Sequence, residues 1–177
     1  MSIEIKKGNL FESKSDAIIL TVDGAHRGME GNIARAFGRK YPDTWEELEY
    51  EIEYPISLGS SKIYKIDPEL ECNHRYCIIA ATLHHIETLS NEEKLKVISS
   101  ALRSSLFLAS KSNATSVCTG VLTGGWRLEI EESLNEMIKA WSTKDQFNTL
   151  ELIQKGQKEY IDERGKISNF ELTEPIN

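Results

Sequence analysis

Three cysteines in 177 residues, Cys72, Cys77 and Cys118, are too few for a disulfide framework. Cys77 and Cys118 lie in apolar runs and read as buried, reduced thiols. Cys72 and Cys77 flank His74, a zinc-like spacing, but no second ligand pair accompanies them, so neither a metal nor any other cofactor is expected. No apolar stretch approaches membrane-spanning length, and Met1 to Lys7 carries no long apolar core. A membrane partner is therefore not expected, and the cytoplasm is the default compartment. Positive charge is also scarce. The chain has 21 Lys and Arg against 28 Asp and Glu, a net charge of -7. That balance repels nucleic-acid backbone and argues against broad DNA or RNA binding, while leaving room for a local pocket that takes a small anion. No Ser-His-Asp or Cys-His set stands out, which disfavours covalent catalysis. Internal repeats, low-complexity segments and linkers are absent as well.

What is present is an ordinary globular balance, 40% hydrophobic and 28% charged, in a length suited to one domain, residues 1–177. Apolar runs at Ala17 to Val22 and at Tyr76 to Thr82 have almost no polar interruption, the habit of strands covered on both faces. Ile3 and Ile5, Thr115 to Gly120, and Thr149 to Ile153 read as further strands. Ile56 to Asp67 reads as a strand pair or one bent strand. Helical spacing marks Ile33, Ala34 and Phe37, with Gly38 able to cap the end. A second helix restarts at Pro42 and carries Trp45, Leu48 and Ile52 on one face. A third follows the capping box Ser90-Asn91-Glu92-Glu93, with Leu95, Ile98, Leu102, Leu106 and Ala109 three or four residues apart, and Asn113 able to end it. Ile130, Leu134, Met137, Ile138 and Trp141 form the fourth. Strands alternating with helices predict an α/β fold, a mixed, mostly parallel central sheet between helical layers. The core spans about residues 3–153, and the charged segment 154–177 reads as a peripheral C-terminal extension.

Two glycine loops follow buried strands. One is Gly120-Val121-Leu122-Thr123-Gly124-Gly125-Trp126, and the other runs from Gly24 through His26, Arg27, Gly28, Met29 and Glu30 to Gly31. Glycine lets backbone N–H groups close on an anion, and a following helix N-terminus adds a favourable dipole. A single loop of this kind is more often a plain turn. Two of them beyond strand ends fit one cleft, since ligands of such sheets bind outside the carboxyl ends of strands.

The ordered set resembles a macro domain, a three-layer fold that binds ADP-ribose, over about Ile3 to Ile153. Gly8-Asn9-Leu10 resembles the family's Gly-Asp-Ile. Asp16 to Asp23 resembles its Asp-Ala-Ile-Val-Asn-Ala-Ala-Asn strand. Gly28 to Gly38 is similar to the first ligand loop and its helix, and Gly59-Ser60-Ser61-Lys62-Ile63 to Gly-Glu-Ala-x-Ile. Gly120 to Trp126 is similar to the second ligand loop, nearer the Leu-x-Gly-Gly branch of deglycosylating and phosphate-processing members. The resemblance implies ligand contacts from Asn9, Leu10, Gly28, Met29 and Gly31, and from Gly120, Val121, Leu122, Thr123, Gly124 and Gly125. Asn9 stands where an acidic residue usually accepts the adenine amino group, and it lacks the charge-assisted component. Asp23 stands where an Asn usually meets the distal ribose. There it can accept from hydroxyls, or act as a general base or water-orienting group; equally, Asp23-Gly24 can simply start a turn. Glu30 replaces the usual loop Asp as a second catalytic candidate, or merely favours a helix N-terminus. Trp126 reads as packing or as a wall at the ribose end. Lys62, His84 and His85 complete the polar candidates.

These readings imply binding of ADP-ribose, an ADP-ribosylated molecule or a related nucleotide, with hydrolysis of an ADP-ribosyl linkage or terminal phosphate by a positioned water. The alternatives are a non-catalytic nucleotide reader and a degenerate macro fold used for protein interaction. Oligomeric state is not legible.

Overall fold

Strict side-chain alternation along two central strands builds the molecule's three layers. The computed structural model describes residues 2–6, 8–25, 31–123, 126–142 and 149–153. Its strands are β1 (Ser2–Lys6), β2 (Ala17–Asp23), β3 (Ser61–Lys65), β4 (Tyr76–Leu83), β5 (Ser116–Thr119) and β6 (Thr149–Ile153). Its helices are α1 (Asn32–Lys40), α2 (Pro42–Glu51), α3 (Asn91–Lys111) and α4 (Ile130–Ser142). The six strands form one sheet in the order β1-β6-β5-β2-β4-β3. All neighbours are parallel except β3, which runs antiparallel to β4 at the edge. The sheet is thus mixed and mostly parallel, the α/β class the sequence predicts.

Ala17 and Ile19 of β2, with Ile78 and Ala80 of β4, pack against Ile98, Leu102 and Leu106 of α3 and Leu134 and Met137 of α4. The intervening Ile18, Leu20 and Val22, with Cys77, Ile79 and Ala81, pack against Ala34 and Phe37 of α1 and Trp45 and Leu48 of α2. A strand with a period of two and a helical layer on each face must be apolar at nearly every position, which is why these runs have almost no polar interruption. Helix α3 starts at the expected capping box, with the Ser90 and Glu93 side chains each bonding the other's backbone N–H. Asn113 adopts a φ of 59° just beyond its end, the left-handed geometry Asn tolerates.

One local expectation changes and another is narrowed. Gly38 does not end α1, which continues to Lys40. The Tyr41 ring packs on Phe37 at 5.2 Å and its amide bonds the Phe37 carbonyl, so the break falls at Tyr41, and Pro42 opens α2 at the position where a missing N–H costs nothing. Of the two readings of Ile56 to Asp67, a strand pair or one bent strand, the structure has a single strand, β3. The residues before it are taken up by a turn at Gly59, φ 78°, whose amide bonds the Ala81 carbonyl.

Candidate functional site at the carboxyl ends of the strands

Parallel pairing sends the segments after β1, β2, β4 and β5 out of the same edge of the sheet. At the end of β2 the register slips between Val22 and Asp23, and Asp23 comes opposite Leu83. The chain then leaves through Gly24. Its amide bonds the Leu83 carbonyl and its carbonyl accepts from Ile56. A Cβ at Gly24 would collide with the Ile56 carbonyl, the Ala81 Cβ and the His84 ring, so glycine is required here by close approach of three segments.

That packing buries the Asp23 carboxylate, the side chain being 3% exposed. Its Oδ1 accepts from the Ala25 amide at 2.9 Å. Its Oδ2 accepts from the His85 ring Nδ1 at 2.8 Å and from the His85 amide at 3.2 Å. A carboxylate oxygen can only accept, so Nδ1 carries the proton and Nε2 is the basic nitrogen of neutral His85. The His85 ring is 49% exposed. His84 points differently: its Nε2 lies 2.8 Å from the Ile56 carbonyl and so donates to it, locking the loop after β4 to the segment before β3. Two adjacent histidines thus have separate tasks, one bonding the Ile56 carbonyl and one the Asp23 carboxylate.

The loop after β5 is anchored from two sides. Thr119 is buried, and its hydroxyl bonds the Gly120 carbonyl at 3.0 Å. Gly120 is buried with it, and the Val121 and Leu122 side chains enter the core against α3 and α4. The Leu122 N–H points at Met137 Sδ, 3.3 Å away, so this amide is directed toward α4. The Thr123 carbonyl accepts from the Trp126 amide. The indole Nε1 of Trp126 donates to the Thr82 carbonyl at 2.5 Å, tying this loop to the end of β4, and Lys94 lies over the ring at 5.5 Å. Trp126 therefore combines packing with a hydrogen bond across the sheet edge.

Asn9 lies after β1, where its Oδ1 accepts from the Phe11 amide at 3.1 Å and caps a short 3-10 turn, Leu10–Glu12. The Leu10 side chain is buried with Phe37 and Tyr41, which leaves only its backbone for a ligand. Gly31 precedes α1, and a Cβ there would strike the Thr21 carbonyl. Of the remaining predicted residues, Gly28, Met29, Glu30, Gly124 and Gly125, like His26 and Arg27, lie outside the described residues. Lys62 is spent elsewhere, donating to the Glu53 carbonyl at 2.9 Å. The segment carrying Cys72 and His74 also has other tasks. His74 donates through Nδ1 to the Ser15 carbonyl at 2.8 Å, and burial pushes the Cys72 and Cys77 thiols up, away from the thiolate a metal needs. Among the described residues no group of three His, Cys, Asp or Glu side chains converges as a metal site.

The arrangement thus joins Asp23, His85 and Trp126 through strands β2, β4 and the β5 loop. The sequence marks Asp23 as a candidate but not its partner, because His85 is 62 residues away. The signal was the His84-His85 pair directly after a buried strand.

No family model and no curated protein matches the sequence. Solved structures do resemble the fold. The macrodomain of Mycobacterium tuberculosis DarG superposes with a TM-score of 0.66 at 20% identity, covering 85% of this chain and 96% of that one. The macro domain of ganglioside induced differentiation associated protein 2 gives 0.68 at 13% identity, covering 90% and 81%. An Oceanobacillus iheyensis macrodomain mutant described with ADPR gives 0.66 at 15% identity, covering 93% and 94%. The chain has the macrodomain fold.

Proposed function

We propose that a chain with this fold binds ADP-ribose, free or attached to another molecule, across the carboxyl edge of its sheet. The observation that carries the reading is the buried Asp23 carboxylate paired with His85 at the end of central strand β2. It lies in a fold whose Oceanobacillus example is described with ADPR. Asn9 leaves the same edge at β1, three strand positions from β2. At about 4.8 Å per strand that is roughly 14 Å, a span suited to an extended dinucleotide-sized ligand. In this reading Asn9 and the Leu10 backbone lie toward the base, and the loops after β2 and β5 embrace the diphosphate. Backbone donors suit a protein of net charge -7, because they attract an anion without a basic patch. At the Asp23 end, a water positioned near the anomeric carbon or a terminal phosphate would be activated for hydrolysis.

Titration calorimetry with ADP-ribose tests binding; a folded sample giving no heat up to millimolar ligand refutes it. Release of ADP-ribose from a modified peptide tests turnover separately. A non-catalytic reader is the second reading, favoured by one observation: the Asp23 carboxylate already answers three N–H donors. Tight binding with no release from any ADP-ribosyl linkage would select it.

A further inference from the structure

We propose that the outer face of helix α3 is a docking groove for an acidic peptide segment of a partner protein, a site independent of the ligand reading above. Small residues among long ones leave a cavity of about 530 Å³ on this face. Ser99, Ser100 and Ser104 are the small ones, and Lys96, Arg103 and Phe107 rise around them. With about 3.6 residues per turn, these positions share one side of the helix. Glu136 of α4 lines the same cavity from the neighbouring helix.

The groups here are short of acceptors. Ser99 is the buried member, 5% exposed, and its hydroxyl has no hydrogen-bond partner among the described residues. A buried hydroxyl left unpaired is costly, so an acceptor brought into this cavity is favoured. Ser104 Oγ accepts from the Ser61 amide at 3.1 Å, which leaves its own proton to donate. Ser100 is already spent, donating to the Gly59 carbonyl at 2.9 Å. Arg103 is exposed, and among the described residues no hydrogen bond or ion pair holds its guanidinium. Lys96 meets Glu92 at 2.8 Å, but both side chains are exposed, and solvent screens a pair of that kind enough for a ligand to displace it. Lys111, 5.5 Å from the centre of the Phe107 ring, extends the positive row.

This mixture fits a carboxylate-bearing peptide better than a bare anion. The planar fork of Arg103 matches a carboxylate. The hydroxyls of Ser99 and Ser104 match peptide carbonyls. Phe107, 46% exposed, offers apolar contact that a phosphate would not use. Glu136 repels a phosphate or a nucleic-acid backbone, yet it can accept from a peptide N–H. A net charge of -7 over the whole chain also disfavours a long polyanion, while a short acidic segment meets only the local positive row. From Lys96 to Phe107 the helix rises about 16 Å. About five residues of extended chain cover that distance.

NMR of the full chain tests the groove, with a capped peptide of about seven residues in which glutamates flank a leucine and a phenylalanine as the probe. Saturable shifts are expected at Ser99, Arg103, Phe107 and Glu136, with a dissociation constant of about 10–500 µM that rises with salt. No shift up to about 2 mM peptide, or shifts confined to the carboxyl edge of the sheet, overturns the proposal. Equal binding of the counterpart with glutamine in place of glutamate overturns it as well. Arg103→Glu changes an exposed side chain and is expected to fold normally. It should lose about tenfold or more in affinity for the acidic peptide and gain affinity for a lysine counterpart. Ser99→Ala removes an unpaired hydroxyl and is expected to keep wild-type stability while binding the peptide a few-fold more weakly. Wild-type affinity in both variants overturns the proposal. Inorganic phosphate or a short RNA shifting the same residues at lower concentration than the peptide also overturns it. Self-association abolished by Arg103→Glu would make a second copy the occupant, with the same consequence. ADP-ribose is expected to bind wild type and Arg103→Glu alike, so failure of either reading leaves the other standing.

Discussion

Single residues at the carboxyl edge of the sheet are held by more than their own backbone. Asp23 accepts from Ala25 and twice from His85. Asn at this position keeps one acceptor oxygen but turns its NH2 group toward at least one N–H donor. Because buried donors without an acceptor are costly, Asp23→Asn is expected to lower stability by about 1–3 kcal/mol in urea unfolding; a change below a few tenths would show that the contact carries no weight. Gly24 makes the complementary case. Its hydrogen is the only substituent that fits between the Ile56 carbonyl, Ala81 and His84. Gly24→Ala should cost about 1–3 kcal/mol by overpacking and should loosen the His84 bond to Ile56; wild-type stability together with an unshifted His84 resonance would refute this. Residues of this kind were only half legible beforehand. The sequence shows a polar residue and a glycine after an apolar run, but not what surrounds them, since most of the contacting atoms come from positions 32 to 62 residues away.

At the scale of elements, the loop after β5 is a braced connection. Trp126 fastens it to β4 through Thr82, and Met137 of α4 receives the Leu122 amide. Trp126→Phe keeps most of the apolar surface and deletes the indole donor. The expected result is a loss of about 0.5–1.5 kcal/mol in stability, the net worth of one hydrogen bond, with a larger proportional loss of ADP-ribose affinity than of stability. Calorimetry of the variant beside the wild type decides it; equal affinity would separate the brace from the ligand site. The helices themselves were readable because their signals are local. A capping box at Ser90 and apolar residues three or four apart need only neighbouring residues to be recognised. The end of α1 was not, because the packing of Tyr41 on Phe37 and the start of α2 at Pro42 outweighed the glycine at 38.

Over the whole molecule, the amino edge of the sheet carries a second carboxylate with a different task. Asp16 precedes β2 and accepts from both the amide and the hydroxyl of Thr115, at 2.7 and 2.6 Å, fastening the start of β2 to the segment before β5. Burial alone would raise its pKa, but the Thr115 hydroxyl and amide bonds and the charge of Arg75 together bring it below the ordinary aspartate value of 3.8. A carboxyl whose pKa is lower in the folded than in the unfolded chain stabilises the fold above the unfolded value, and this contribution is lost as pH falls below it. Asp16→Asn is therefore expected to destabilise the protein at neutral pH, with the difference from wild type shrinking as pH falls below about 3.8. Urea unfolding across pH 2–7 checks it, and a difference that stays constant with pH would exclude the ionised carboxylate as the cause. Saturating ADP-ribose should in turn stabilise the whole fold by about 2.7 kcal/mol at one hundred times its dissociation constant, measured by thermal shift.

By itself the sequence determined the layers: apolar runs without interruption require cover on both faces, helical spacing supplies that cover, and the alternation of the two implies the α/β class. It also singled out the glycine loops and the carboxyl ends as candidates for a ligand site. Only the tertiary structure decided the strand order, the antiparallel edge strand β3 and the partners of each polar group. Periodicity is a property of adjacent residues, whereas a hydrogen bond between Asp23 and His85 depends on two strands meeting in one register. That register is set by the packing of the entire sheet, so the pairing at its carboxyl edge emerges only when the chain is folded.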